Sequence, residues 1–352
     1  MRPCVHAAMR SVAFIILAAL SCVPARAAER PPQFVVMAFD NCTELARWQE
    51  LTDFAAEMNK DGERLHFTFF VSGINFIEDA SRAVYEGPHQ KRGTSRINFG
   101  GSADEVGRRV DYVNALARSG HEIASHAVGH FDGAGWSAAD WEKEFRAFDG
   151  ILRNAALAVR AASATLDIAR VIGFRAPYLA TSSGLYTVLK SNAFRYDASR
   201  DGAADEWPER IDGIWRFNLA RLRIAGSGRS TLSMDYNFFA AQSGAVEDAG
   251  RAKIFREQML ATYLEYFRVN YRGNRAPLHI GHHFFPYQGG AYNAALKDFA
   301  RTVCGLPEVR CVSYAELADF LDRQSTETRE AYRKGDFPRA GEAALSSTTL
   351  AR

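Results

Sequence analysis

At 352 residues the chain exceeds one small domain but fits a single large α/β domain or two modest ones. Hydrophobic residues at 47% and charged residues at 24% make a globular composition and exclude a disordered or fibrous chain. The net charge of +2 excludes the bulk basic surface of a nucleic-acid binder, and without Arg2, Arg10 and Arg26 of the first 27 residues the two signs nearly cancel.

The N-terminus reads as a cleavable secretion signal over residues 1–27. Arg2 and Arg10 supply the basic start, Ser11 to Val23 the apolar stretch, and Ala25-Arg26-Ala27 the small-x-small site. Thirteen residues span only about 20 Å as a helix, short of a bilayer core of about 30 Å. The expectation is therefore a released protein, secreted or periplasmic, with no transmembrane segment. Leu20-Ser21-Cys22 is a fainter match to a lipoprotein site. Export permits disulfides. Cys304 and Cys311 bracket a loop containing Gly305 and Pro307 and are predicted to pair, leaving Cys42 as the odd thiol.

From Gln33 onward, β-rich runs alternate with helical stretches. Residues 33–39 and 66–72 read as buried strands, separated by a helix over 45–58. Residues 80–102, rich in Gly, Arg and Ser, read as a loop insertion. Ser102 and Glu105 form a capping box ahead of Val106, Val110, Val113 and Leu116 at helical spacing, and Gly120 stops that helix. A strand over 122–125 follows, then a helix marked by Trp141, Phe145, Phe148 and Leu152, then a strand over 171–174. Later come a helix over 248–270, a strand over 278–283, a helix over 292–303, a strand over 309–312 and a helix over 314–321. Such alternation predicts a mostly parallel sheet, open or closed into a barrel, in one domain over 28–324. Residues 325–352 lack an apolar face and read as a mobile tail.

In parallel α/β folds the chemistry sits at the carboxyl ends of the strands. Asp40-Asn41 ends the first strand, His126 and His130 follow the third, Arg175-Ala176-Pro177-Tyr178 follows the next, and His282-His283 ends a late one. On a helical turn the i, i+4 spacing of His126 and His130 would put both imidazoles on one face, as zinc ligands often are. His121 and His126 imitate a zincin motif with one residue too many, and an i, i+5 pair lies about 140° apart on a helix. Each feature alone has an ordinary structural explanation: a cap for Asp40, an ion pair for Arg175, surface loop histidines for the others. Their recurrence at successive strand ends is what points to a site.

Taken in order, these segments resemble the polysaccharide deacetylases of carbohydrate esterase family 4, nearest to chitin-deacetylase-like members. Phe39-Asp40-Asn41 stands where the family has T-F-D-D, and residues 120–126 with His130 match G-H-E-I-x-x-H-[ST]-x-x-H. Arg175-Ala176-Pro177-Tyr178 matches R-x-P-Y, residues 196–199 resemble Y-D-x-S, and residues 276–283 resemble the late histidine strand. The resemblance spans roughly residues 33–323. It implies a distorted (β/α) barrel with its active site at the C-terminal strand ends. It also implies metal-assisted removal of acetyl groups from a polysaccharide, acting on the carbon–nitrogen bond of N-acetyl sugars. In that picture His126, His130 and the residue at 41 hold a divalent metal, zinc above all and cobalt or another ion as alternatives. Asp40 is the general base, Arg175 its orienting partner and the Tyr178 N–H an oxyanion donor. By alignment with the family His283 is the acid, with strand alternation turning His282 to the opposite face, and Asp235 is the candidate partner of that acid.

Two departures matter. Asn41 replaces the carboxylate that completes the family's metal triad, and Ala127 replaces the Ser or Thr between the histidines, removing a hydrogen bond that would support them. An active exported deacetylase is one reading; a non-catalytic glycan-binding relative that has lost its metal is the other. Chitin-like polymers, peptidoglycan, exopolysaccharide and acetylated xylan all fit as substrates. A monomer with no nucleic-acid partner is expected.

Overall fold

A computed structural model of the chain describes residues 28–41, 43–62, 64–158, 171–283 and 285–338; the expected secretion signal and Cys42 lie outside these. Ten strands are present among the described residues: β1 (Gln33–Asp40), β2 (Thr68–Val71), β3 (Glu122–Ser125), β4 (Gly173–Phe174), β5 (Tyr196–Gly202), β6 (Glu209–Ile211), β7 (Ile214–Arg223), β8 (Ser230–Leu232), β9 (Leu278–His283) and β10 (Val309–Cys311). Strands β9, β1, β2, β3, β4, β5 and β7 run side by side and parallel, while β6 and β8 pair antiparallel with β7. Strand β10 joins the beginning of β1. The curled sheet is drawn toward closure by Ser233. Its N–H and hydroxyl bond Ala220 of β7, at 2.8 Å each, and its hydroxyl and carbonyl reach His279 O (2.5 Å) and Gly281 N (2.8 Å) of β9. The distorted barrel that the resemblance implies is thus an incomplete one.

Alternation within the strands builds two cores. Phe34, Val36 and Ala38 of β1 pack inward with Phe70, Ala124, Tyr196, Phe217 and Tyr314, filling the barrel. Val35, Met37 and Phe39 point outward, as do Leu278 and Ile280 of β9, against the helical layer. That layer includes α1 (Leu45–Asn59), α2 (Ala103–Arg118), α3 (Ala138–Ala158), α4 (Ser183–Ser191), α5 (Asp235–Ser243), α6 (Ala252–Arg272) and α7 (Tyr287–Val303), whereas α8 (Tyr314–Asp322) packs Tyr314, Leu317, Ala318 and Leu321 against the inner core. Helix α2 begins at the expected capping box: Ser102 Oγ accepts from Glu105 N, and the Glu105 carboxylate accepts from Ser102 N at 2.7 Å.

The expectation for residues 325–352 is corrected over its first part. Helix α9 (Thr326–Lys334) starts at Ser325, whose hydroxyl accepts from Thr328 N (3.1 Å). Only Tyr332 of this helix is buried, stacked on Trp207 at 5.0 Å, with Phe337 buried just beyond. Two aromatic anchors dock a segment whose sequence shows no apolar stripe. Residues 339–352 lie outside the described ones.

Cys304 and Cys311 form a disulfide with a Cα–Cα distance of 5.7 Å, closing the turn between α7 and β10. Closing so short a loop is worth about 2–3 kcal/mol by chain entropy. Urea denaturation of the C304S/C311S double variant is expected to show that loss. Unchanged stability would mean that packing alone holds the turn.

Candidate active site

Parallel register places the site. Asp40 pairs with His283 at the ends of β1 and β9, Asp40 with Phe70 across β1 and β2, Val71 with Ser125 across β2 and β3, and Ser125 with Phe174 across β3 and β4. The last strand residues, Asp40 and His283, and the residues just past a strand end, Asn41, His126 and Arg175, therefore converge on one rim. They surround a cleft of about 670 Å³ lined by Asp40, Asn41, His126, His130, Tyr178 and His283 among others.

Asp40 and Arg175 form the buried heart of this rim. Arg175 Nη1 donates to Asp40 Oδ1 (2.7 Å), Nε to Ala198 O (3.1 Å) and Nη2 to the Tyr314 hydroxyl (3.1 Å), with the guanidinium 4.3 Å from the Phe70 ring centroid. Burial works to raise the Asp40 pKa, but Arg175, followed by His126 and His283, outweighs it and holds the carboxyl below its ordinary range. Burial likewise opposes the charge on Arg175, and Asp40 restores it, raising its pKa overall. Residues 196–199 support this pair from behind. Ser199 Oγ accepts from Ala176 N (2.7 Å) and donates to Asp197 Oδ1 (2.5 Å), fixing the turn that carries Arg175.

The opposite wall is His283. Its Nδ1 meets Asp235 Oδ1 at 2.7 Å and its backbone N–H donates to Asp235 Oδ2 at 2.8 Å. Burial lowers the His283 pKa, and the Asp235 charge and hydrogen bond more than reverse that, so the imidazole is raised above its ordinary value. His282 is fully buried on the other face, within 3.2 Å of the Tyr263 hydroxyl. His279 shares the inward face with His283 but sits deep in the barrel, parallel to the Tyr314 ring at 5.5 Å.

His126 and His130 do come together, with ring centroids 5.2 Å apart, but not on a helical turn. The chain leaves β3 as a loop in which Ala127 (φ 57°) and His130 (φ 55°) are both left-handed. Left-handed non-glycine residues cost of order 1–3 kcal/mol each and gather at functional sites. Asn41 (φ 59°) and Tyr178 (φ 57°) belong to the same set, and Asn tolerates that conformation better than most residues. Burial lowers the pKa of His126 to about 4 and of His130 to about 3, so both are neutral.

These residues suit a divalent ion. His126 Nδ1 lies 2.7 Å from Arg175 O; a carbonyl only accepts, so Nδ1 carries the hydrogen and Nε2 keeps a lone pair. His130 Nδ1 is buried with no partner among the described residues. Asn41 Oδ1, which lines the same cleft, accepts from the Ser72 hydroxyl and has a further lone pair. No group of three or more His, Cys, Asp or Glu side chains suited to a metal occurs among the described residues. The third donor at hand is the amide of Asn41.

Two features escape the sequence reading. Among the described residues, the large exposed aromatic side chains are Tyr178, Tyr236 and Phe285, 60%, 46% and 51% exposed, and all three line this cleft. The second feature is Glu144, buried beside the His126–His130 loop; a glutamate among Trp141, Phe145 and Phe148 on the apolar face of α3 is the signal that marks it.

A profile of the polysaccharide deacetylase family matches residues 27–196. No curated protein matches the chain. Among solved structures, the chain is similar to a protein described as a polysaccharide deacetylase from Mycobacterium smegmatis, at 15% identity and a TM-score of 0.46 over 90% of this chain and 98% of that one. It is also similar to the Xyl-CE4 domain of a multidomain xylanase from the hindgut metagenome of Trinervitermes trinervoides (14% identity, TM-score 0.46, 83% and 93% covered). A third is peptidoglycan deacetylase PdaC from Bacillus subtilis (12% identity, TM-score 0.43, 86% and 97% covered). Scores this low carry no functional weight. Asp40, Asn41, His126, His130, Arg175 and Tyr178 all fall inside the matched residues, so the segment 27–196 that carries most of the cleft is the part of the chain matching the polysaccharide deacetylase family, a family of deacetylase hydrolases.

Proposed function

We propose that the chain is an exported, metal-dependent deacetylase that hydrolyses the acetamido group of N-acetylglucosamine-containing polysaccharides. The observation that carries this reading is the pairing of two oppositely tuned groups across one cleft: Asp40, bonded to Arg175 and lowered in pKa, and His283, bonded to Asp235 and raised in pKa. Export rests on the N-terminal sequence alone; no helix among the described residues is long and apolar enough to cross a membrane.

Asp40 takes the proton of the attacking water. Arg175 keeps that carboxylate ionised and, through three anchoring bonds, fixed in direction. The peptide N–H of Tyr178 stabilises the developing oxyanion. His283 delivers its proton to the departing amine, with Asp235 fixing the ring. His126, His130 and Asn41 would hold a divalent ion, zinc above all, which when bound supplies Lewis acidity to water and carbonyl. The exposed rings of Tyr178, Tyr236 and Phe285 suit the apolar face of a sugar.

Asn41 weakens this centre without removing it. A neutral amide leaves the metal one negative charge short, and loss of a supporting contact already costs about 10–100-fold in metal affinity. Asn41→Asp is therefore expected to bind zinc at least about tenfold more tightly than wild type when both are titrated against a competing chelator. Equal affinities would remove Asn41 from the ligand set. If Asn41→Asp takes up zinc and wild type takes up none, the neutral Asn41 instead favours the second reading, a glycan-binding relative without catalysis.

A further inference from the structure

We propose that Glu144 is the positioning residue of the metal-binding loop: its buried carboxylate grips the backbone between His126 and His130 and so sets where His130 stands. Glu144 lies on α3 and is 1% exposed. Its Oε1 accepts from Val128 N (2.9 Å) and Gly129 N (3.2 Å), the two peptide groups between Ala127 and His130. The Tyr85 hydroxyl points at both carboxylate oxygens, 3.0 and 2.9 Å away.

The grip answers a local need. The loop is bounded by two left-handed residues, Ala127 and His130, so its amides find no regular strand or helix partners. Its carbonyls are taken by other elements: Ala127 O by Gly73 N (2.9 Å), Val128 O by Ile74 N (3.2 Å) and Gly129 O by Arg96 N (3.0 Å). The carboxylate of Glu144 completes this set from the donor side. It reaches the loop from a neighbouring helix rather than from within. Tyr85 belongs to the segment read from sequence as an insertion, so that segment is tied to the same carboxylate. A charged residue placed on the apolar face of α3 is costly unless its bonds are used, and here they are used on the loop that carries both imidazoles.

A structural role alone would tolerate any change that keeps the fold, so the variants are chosen to separate fold from position. Glu144→Gln keeps an oxygen for the two amides, and the Tyr85 hydroxyl oxygen can accept from the new NH₂ group. Glu144→Leu keeps the bulk and leaves both amides unpaired. Hydrogen exchange on metal-free protein and cobalt affinity by chelator competition are the two readouts. Glu144→Leu is expected to lose about tenfold or more of the exchange protection over residues 126–130 and a similar factor in cobalt affinity, and Glu144→Gln to stay close to wild type in both. Full protection of residues 126–130 in Glu144→Leu, or a Glu144→Gln variant as impaired as Glu144→Leu, overturns the proposal. If Glu144→Leu does not fold, Tyr85→Phe takes its place: faster exchange over residues 126–130 supports the grip, and unchanged exchange refutes it. The cobalt arm rests on the metal reading given above. Wild-type protein that takes up no cobalt contradicts that reading, while the exchange arm still decides on Glu144.

Discussion

Asp40→Asn is expected to lower kcat by about 10²- to 10⁴-fold, the range for loss of a positioned general base. The substitution keeps an oxygen for Arg175 Nη1 and nearly the same shape, so the cleft should keep its form. What it removes is the negative charge opposite a guanidinium that is 0% exposed. Breaking a buried ion pair on one side costs about 3–5 kcal/mol, because the remaining charge stays desolvated. Activity and stability should therefore fall together, and the stability loss should carry a pH signature. The Asp40 pKa is lower folded than unfolded, so its contribution is present above the ordinary carboxylate value and is lost as pH falls through the depressed one. Chemical denaturation of both proteins at neutral pH and at about pH 3 checks this: the gap between them should narrow in acid. A variant that keeps most of its kcat would strip Asp40 of the base role.

His283→Ala should cost a comparable factor, and Asp235→Asn shows why. The His283 pKa is raised because Asp235 outweighs burial, so the protonated form persists above the ordinary value of about 6.5. Without that carboxylate, burial is left to lower the pKa, and the alkaline limb of the kcat profile should move to lower pH. The linkage has the opposite sign to that of Asp40. Stability from the His283–Asp235 pair is fully present below the unfolded pKa and is lost as pH rises through the raised folded one. A pH–rate profile of Asp235→Asn with an unmoved alkaline limb would show that His283 is not the group titrating there.

Most of the candidate site positions were legible because they stand at or just past the end of a run whose β-character is plain in sequence; Asp235 follows β8, which goes unread. Residues 33–39, 122–125 and 278–283 are short runs, apolar in the first and mixed in the other two, and parallel register does the rest by pairing Asp40 with His283. What the sequence hid has physical reasons. The i, i+4 spacing of His126 and His130 suggests a helix, yet the loop reaches the same juxtaposition through two left-handed residues, which no periodicity reports. Strands β5 to β8 go unread because Arg200, Arg216, Arg221 and Arg223 interrupt their apolar runs; Arg216 is nonetheless buried, over the Tyr186 ring at 3.6 Å and beside Asp197. Helix α9 is announced by one buried tyrosine, too little for a pattern. Glu144 is visible in sequence only as a charge in the wrong place.

Acetate release from N-acetylglucosamine oligomers by chelator-treated protein, with and without added zinc, tests the central claim most directly. The expected result is acetate and free amine appearing in equal amounts only when zinc is restored, with Asp40→Asn slower by at least about 10²-fold under the same conditions. Zinc-saturated wild-type protein that frees no acetate from these oligomers, while binding them, would contradict it.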